Sequence, residues 1–247
     1  MHLQISDRVF LVGSGQIGFQ MTHPLDCNVY LIDGGTEWAL IDAGSGIAPE
    51  LIVKNIEASG APMSKVTKLL LTHIHGDHAA GARYFAENYN MEVITAEEAA
   101  PWMEAGDTEK NSIDAAKEAG VYPNDFVFPA CPVAQGVVEG DEITVGSVAL
   151  SVLDTPGHSR GHVSFVMEEG GEKALFGGDV IFAGGKIVLQ NIWDCSIQDY
   201  AQSIGKIHAL QIDRLYPGHG AFLMKNAHQC VQEAHDAFTR LSIPPNL

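Results

Sequence analysis

Apolar positions along the chain follow two rhythms. Short continuous or alternating runs, bounded by Gly, Asp and Pro, occur at 9–12, 28–32, 38–41, 68–71, 92–94, 148–153, 162–167, 174–176 and 215–216, and predict strands. The runs at 28–32 and 38–41, separated by a turn at Asp33-Gly34-Gly35, predict a hairpin. Stretches with apolar residues three or four apart predict helices over 49–58, 79–89, 197–210 and 226–240. The region 96–120 is rich in Ala, Glu, Lys and Met and predicts two more helices, followed by a proline-punctuated segment at 122–132.

Strands interrupted by helices predict an α/β chain in which helices cover the outer faces of sheets. Neither an internal repeat nor a Ser/Gly linker divides the sequence. One domain over 1–247 is therefore expected, with a helical insertion around 96–132 near the functional site.

Composition narrows the function classes. With 46% hydrophobic residues, the chain has the balance of a folded protein. Fourteen Lys and Arg against 31 Asp and Glu give a formal net charge of −17, which repels a phosphate backbone, and no basic stripe compensates. No nucleic-acid partner is expected. The longest apolar runs fall short of the roughly 18 residues a spanning helix requires, so no membrane partner is expected either. The first residues show no signal-peptide pattern, which points to a cytoplasmic protein. Cys27, Cys131, Cys195 and Cys230 are scattered without a C-x-x-C pair and read as reduced thiols.

The densest chemistry is Thr72-His73-Ile74-His75-Gly76-Asp77-His78, at the junction of an apolar strand and a helix. Side chains two apart on extended chain point the same way, so His73 and His75 can converge on one ion. Gly76 allows the bend that turns Asp77 and His78 toward a second. Imidazole and carboxylate together suit zinc and similar divalent ions. Three later turns each end a short apolar run and offer one more donor: Thr155-Pro156-Gly157-His158-Ser159, Gly177-Gly178-Asp179, and Pro217-Gly218-His219-Gly220. Reactive groups on loops at strand ends are held by the rigid sheet behind them.

In that order, H-x-H-x-D-H, T-P-G-H-S, G-G-D and P-G-H-G resemble the metallo-β-lactamase superfamily, with Leu40-Ile41-Asp42-Ala43-Gly44 similar to the family's upstream strand and turn. The resemblance implies a four-layer αβ/βα sandwich and a cofactor of two divalent metal ions, zinc foremost, with iron or manganese as substitutes. It assigns His73, His75 and His158 to the first ion, Asp77, His78 and His219 to the second, and Asp179 as a bridge. It also implies a small-molecule substrate whose ester-like carbonyl, a thioester or lactone, is attacked by hydroxide generated between the ions. Asp77 is then the candidate proton carrier, with Asp42 and Thr72 orienting imidazoles. The commonest β-lactamases carry cysteine where Asp179 stands, so the glyoxalase II and lactonase side of the family is favoured over antibiotic hydrolysis. Two alternatives accompany this reading: a single-iron oxidoreductase resembling the persulfide dioxygenases, and a non-catalytic metal-binding module.

Other candidates are weaker. His2, His208, His228 and His235 lie outside any motif, and His162 enters the next predicted strand, so all five are left out of the ligand set. His23 sits in a loop that relatives place over the cleft. Gly13-Ser14-Gly15-Gln16-Ile17-Gly18 fits G-x-G-x-x-G, but Thr22-His23-Pro24 interrupts any following helix, which speaks against a dinucleotide site. Cys195 has no histidine motif beside it. Lys186 resembles the glutathione-gripping lysine of glyoxalase II, at shorter spacing from Asp179. Phe182 stands near where lactonases carry a catalytic tyrosine.

Overall fold

Every predicted strand and helix has a counterpart in the computed structural model, which describes residues 2–247. Among these residues the strands form two sheets. The first contains β1 (Leu3–Gln4), β2 (Val9–Gly13), β3 (Val29–Asp33), β4 (Trp38–Ile41), β5 (Val66–Leu70), β6 (Glu92–Ala96) and β7 (Gln135–Val137), in that spatial order. Pairing is antiparallel up to β4 and parallel from β4 to β7. Parallel neighbours need crossover connections, and the helices supply them. These are α1 (Pro49–Ala58) between β4 and β5, α2 (Gly76–Ala79) with α3 (Ala82–Tyr89) between β5 and β6, and α4 (Ala100–Ala105) with α5 (Ile113–Glu118) between β6 and β7.

The second sheet is ordered β12 (Arg214–Pro217), β11 (Glu172–Gly178), β10 (Val163–Glu169), β9 (Val148–Asp154), β8 (Glu142–Val145). Only the β11–β12 pair is parallel, across α6 (Ile197–Leu210). The last helix is α7 (Ala227–Thr239).

Two apolar layers account for the stacking. Leu150, Val152, Phe165, Met167 and Phe176 of the second sheet share one buried cluster with Leu11, Leu31, Leu40 and Leu69 of the first, so the sheets face each other. Ile52 and Ile56 of α1 and Phe85 of α3 join that cluster from the first sheet's outer side. Val166, Leu175 and Leu215 instead pack on Ile204 and Ile207 of α6 and Val231 of α7. The result is the expected αβ/βα sandwich. β10 is buried on both faces along residues 163–167, whereas β9 alternates buried and exposed over 148–152, because the two helices cover only one half of the second sheet.

One predicted element differs. The helix expected over 79–89 is broken between α2 and α3. The Gly81 amide donates to Gly44 O (3.1 Å), and the Asp77 carbonyl accepts from the Cys27 amide (3.2 Å), so the intrahelical ladder is diverted to two neighbouring loops. A Cβ on Gly81 would sit 2.1 Å from Ala43 O, so only glycine permits this approach.

Candidate metal centre

Four strand ends of the two sheets meet at one place. Beyond β5 the chain stays extended through His73 and His75, then turns into α2. The His73 and His75 rings lie edge to face at 4.7 Å between centroids, and the α2 turn returns His78 to 4.1 Å from His73. The turn after β9 brings His158 within 5.0 Å of His73 and 4.6 Å of His75. Asp179 follows β11 and His219 follows β12.

The carboxylate of Asp179 lies between two donor groups. Its Oδ2 is 3.5 Å from His158 Nε2 and 3.5 Å from His219 Nε2, and its Oδ1 is 3.4 Å from His78 Nε2. His219 Nε2 also lies 3.0 Å from Asp77 Oδ2. The donor atoms of His73, His75 and His158 lie within 4.8 Å of one another, as do those of Asp77, His78 and His219. All seven predicted residues are thus brought together.

The outer nitrogens of four imidazoles are occupied, which fixes what the inner ones offer. Thr72 donates its amide (2.8 Å) and hydroxyl (2.9 Å) to the Asp42 carboxylate, and the same carboxylate accepts from His78 Nδ1 at 2.8 Å. With its proton committed to Asp42, the Thr72 hydroxyl oxygen accepts from His73 Nδ1 at 3.1 Å. His75 Nε2 donates to Asp194 Oδ2 (3.2 Å) and His158 Nδ1 to Val188 O (3.2 Å). Asp42 holds this junction from a left-handed backbone position, φ +62°, uncommon for a residue with a Cβ.

The inner atoms are then lone-pair donors. His73 Nε2, His78 Nε2 and Asp179 Oδ1 are buried without a hydrogen-bond partner, and His75 Nδ1 faces His158 Nε2 at 2.9 Å. Buried polar groups left unpaired are rare and costly, and facing lone pairs repel unless a cation lies between them. This donor set fits divalent metal. Burial, reinforced by His78, pushes the His73 pKa well below the usual histidine value, and burial with His75 pushes His158 down to about 4, so both are neutral at pH 7. Burial opposes charge on Asp179 and Asp77 as well, yet the neighbouring histidines outweigh it and hold both carboxyls well below the usual range.

Structure adds residues that the motifs do not reveal. Tyr122, in the loop after α5, donates its hydroxyl to Asp77 Oδ1 at 2.7 Å. Asp194 is buried, holds His75 and accepts from Ser112 Oγ at 2.7 Å. Ser112 has φ +59° to do so. His162, set aside in the sequence, is fully buried in the wall of the site. Its Nδ1 meets Thr155 Oγ1 at 2.9 Å and its Nε2 accepts the Asp179 amide at 3.2 Å, so it supports the Asp179 turn from behind. A histidine four residues after His158 was the only sequence signal for it, and none marked the other three.

The remaining candidates lie elsewhere. His23 caps its own loop, and His208 stacks on His235 at 4.2 Å between α6 and α7. Cys195 is half-buried and accepts the Gln190 amide, and partial burial raises its pKa, which suits a protonated thiol rather than a nucleophile. Cys27 lies beside Asp42 and His78, and burial raises it to about 12, so it stays protonated. Lys186 lies in a tight turn opposite Phe182. In the glycine-rich loop after β2, Ser14 Oγ bonds Asn28 Oδ1 and the Phe19 amide, both at 2.7 Å, and no helix follows, as expected of a structural loop.

A family model described as the metallo-beta-lactamase superfamily matches residues 23–219. Similar curated proteins include an atrochrysone carboxyl ACP thioesterase from Aspergillus fumigatus, 28% identical over 93% of this chain and 60% of that protein. An acyl-coenzyme A thioesterase from Gallus gallus is 28% identical over 87% of this chain and 79% of its own length. Several curated relatives are longer, and the chain spans about three-fifths of their length. Among solved structures, a metallo-beta-lactamase from Cronobacter sakazakii superposes with a TM-score of 0.75 at 22% identity, covering 98% of this chain and 96% of that one.

Proposed function

Since the chain belongs to the metallo-beta-lactamase superfamily, we propose that it is a metal-dependent hydrolase of thioesters or related ester-like bonds. His73, His75 and His158 would hold one divalent ion, Asp77, His78 and His219 a second, and Asp179 both. The observation that carries this reading is the position of Asp179, whose two oxygens face histidines of both groups at 3.4–3.5 Å. The nitrogen and oxygen donors suit zinc. Two similar proteins named as thioesterases favour a thioester over a lactam.

Ions held there, when bound, supply activated water and a polarised carbonyl. The chain's own residues do the rest. Asp42, Thr72, Asp194 and Val188 O keep the outer imidazole nitrogens protonated, so the inner ones remain lone-pair donors. Asp77 has the most exposed side chain of the seven in the ion-pair geometry, 19% against 9% or less. It is therefore the first carboxylate a substrate meets. Tyr122 holds its Oδ1 and so sets the direction in which the carboxylate, as the proposed proton carrier, faces a departing thiol or alcohol.

The test is metal stripping with a strong chelator followed by a panel of thioesters, esters, lactones and lactams, with and without added zinc, manganese or iron. Loss of thioester cleavage on stripping and recovery with about two equivalents of zinc are expected. Full activity of the metal-free protein refutes the proposal. One equivalent of iron with oxygen uptake indicates the oxidoreductase alternative.

A further inference from the structure

The glycine-rich segment 13–18, which no helix follows, lies against the turn that carries His219, and Asn28 joins the two. Asn28 is 1% exposed and directly precedes β3 of the first sheet, whereas Pro217 ends β12 of the second. Its backbone N–H donates to Gly218 O at 2.6 Å, and its Nδ2 donates to Pro217 O at 3.0 Å and to Gly220 O at 3.1 Å. Carbonyls on both sides of His219 are therefore held by one residue of the opposite sheet. Tyr30, two residues further along, adds its hydroxyl to Pro217 O at 2.7 Å.

The glycine-rich segment fixes which way that side chain faces. Ser14 Oγ accepts the Phe19 amide at 2.7 Å, so its proton is free to go to Asn28 Oδ1, also at 2.7 Å. With Oδ1 committed to a donor, the planar carboxamide keeps Nδ2 aimed at the two carbonyls, which can only accept. A Cβ on Gly18 would lie 2.2 Å from Ser14 Oγ and 2.9 Å from Asn28 Oδ1, so only glycine leaves room for this pair. The Gly220 amide closes the arrangement by donating to Ile17 O at 2.6 Å. A buried polar network with every member paired holds one arrangement.

We propose that Asn28, backed by Ser14, is the positioning residue of His219 and sets the affinity of the second metal position without touching the ion. The inference rests on the two-ion reading above. His73, His75, His78 and His158 are oriented through bonds to their own rings. His219 is directed instead by its flanking backbone, whose carbonyls at Pro217, Gly218 and Gly220 all accept from Asn28. Exchanging Nδ2 for an oxygen sets lone pairs against two of those carbonyls, so the turn moves away and takes His219 with it. The first ion's histidines ride on the ends of β5 and β9 and are unaffected, and the turn of Asp179, shared by both ions, is supported separately by His162.

The test is a cobalt titration of the metal-stripped full chain, read by visible d–d absorption and by competition with a chromogenic chelator, so that neither readout needs turnover. In Asn28→Asp the second equivalent is expected to bind about 10–100-fold more weakly, the loss usual for a residue behind a metal ligand, with its absorption band altered and the first equivalent bound as in the wild type. Ser14→Ala and Tyr30→Phe, which remove one bond each, weaken the same equivalent by less. Val231→Ala, in the apolar layer between α7 and the second sheet, lowers the melting temperature and keeps both equivalents. Equal weakening of both equivalents in Asn28→Asp reduces Asn28 to a general support of the fold and overturns the proposal. If Asn28→Asp does not fold, an unchanged second equivalent in both Ser14→Ala and Tyr30→Phe overturns it as well. A wild-type chain that holds a single equivalent overturns the two-ion reading and this role with it. Two equivalents held equally well by the wild type and Asn28→Asp overturn this role alone.

Discussion

Tyr122 and Asp77 hold each other by two hydrogen bonds: the phenol donates to Asp77 Oδ1 at 2.7 Å, and the Asp77 amide donates to the phenol oxygen at 3.1 Å. The pair links the loop after α5 to the first turn of α2, so a residue 45 positions away sets the orientation of a proposed ligand and proton carrier. Tyr122→Phe removes both bonds while keeping the ring on Phe126. The expected result is a fall of about tenfold in kcat, by analogy with one misplaced acid–base group, with KM and metal content little changed. Equal losses in kcat and metal content would assign Tyr122 to metal retention instead.

Asp194 bears the same relation to His75 on the other side of the site. Asp194→Asn keeps the shape but lacks the second charged acceptor, and carboxylates that orient ligating imidazoles are worth about 10–100-fold in metal affinity. Competition with a chromogenic chelator measures this directly, and an unchanged affinity refutes the role.

Gly218 is the closest packing point of the centre. A Cβ there would lie 2.2 Å from Asp179 Oδ1 and 2.6 Å from His78 Cε1. Gly218→Ala is expected to empty at least one metal position while the two sheets persist. Elemental analysis reads the first, and far-UV circular dichroism the second.

His219→Ala removes a nitrogen from the proposed second ion but leaves the three histidines of the first. Loss of about one metal equivalent and of most activity is expected. His228→Ala, in α7 and outside the cluster, keeps both equivalents. The reverse pattern would show that the last ligand turn is misassigned.

The metal-free chain should have a stability maximum near neutrality set by its histidines. His158 titrates at about 4 in the fold against 6.5 when unperturbed, so the unfolded chain takes up that proton first and stability is lost as pH falls from 6.5 toward 4. For His78 and His219, burial works against the charge but the adjacent carboxylates of Asp179 and Asp77 raise the pKa. Their contribution is whole below 6.5 and lost as pH rises. Zinc requires all these imidazoles neutral, so its stabilising effect should grow from pH 5.5 to 8. Melting temperatures with and without zinc check this, at about 2–4 °C per kcal/mol for a chain of this size. A zinc effect that does not vary with pH would refute the histidine set.

Much of the molecule was legible in one dimension because its signals are local. Strand and helix positions follow from apolar spacing, and the seven clustered donors stand in four short motifs, each at the end of an apolar run, so that sheet formation alone carries them to a shared edge. The neighbours of those donors carry no such signal. Ser112, Tyr122 and Asp194 reach the centre only through long-range packing of loops, and a lone tyrosine or aspartate in a loop has no spacing that distinguishes it from a solvated residue. The break between α2 and α3 was hidden for a similar reason: helical propensity favours continuity, and it is overruled by backbone bonds to Gly44 and Cys27 that exist only once the sheets have formed. The sequence by itself determined which residues could donate to a metal and on which strand ends they ride. The tertiary structure decided which nitrogen each histidine presents, since that depends on what occupies the opposite side of every ring.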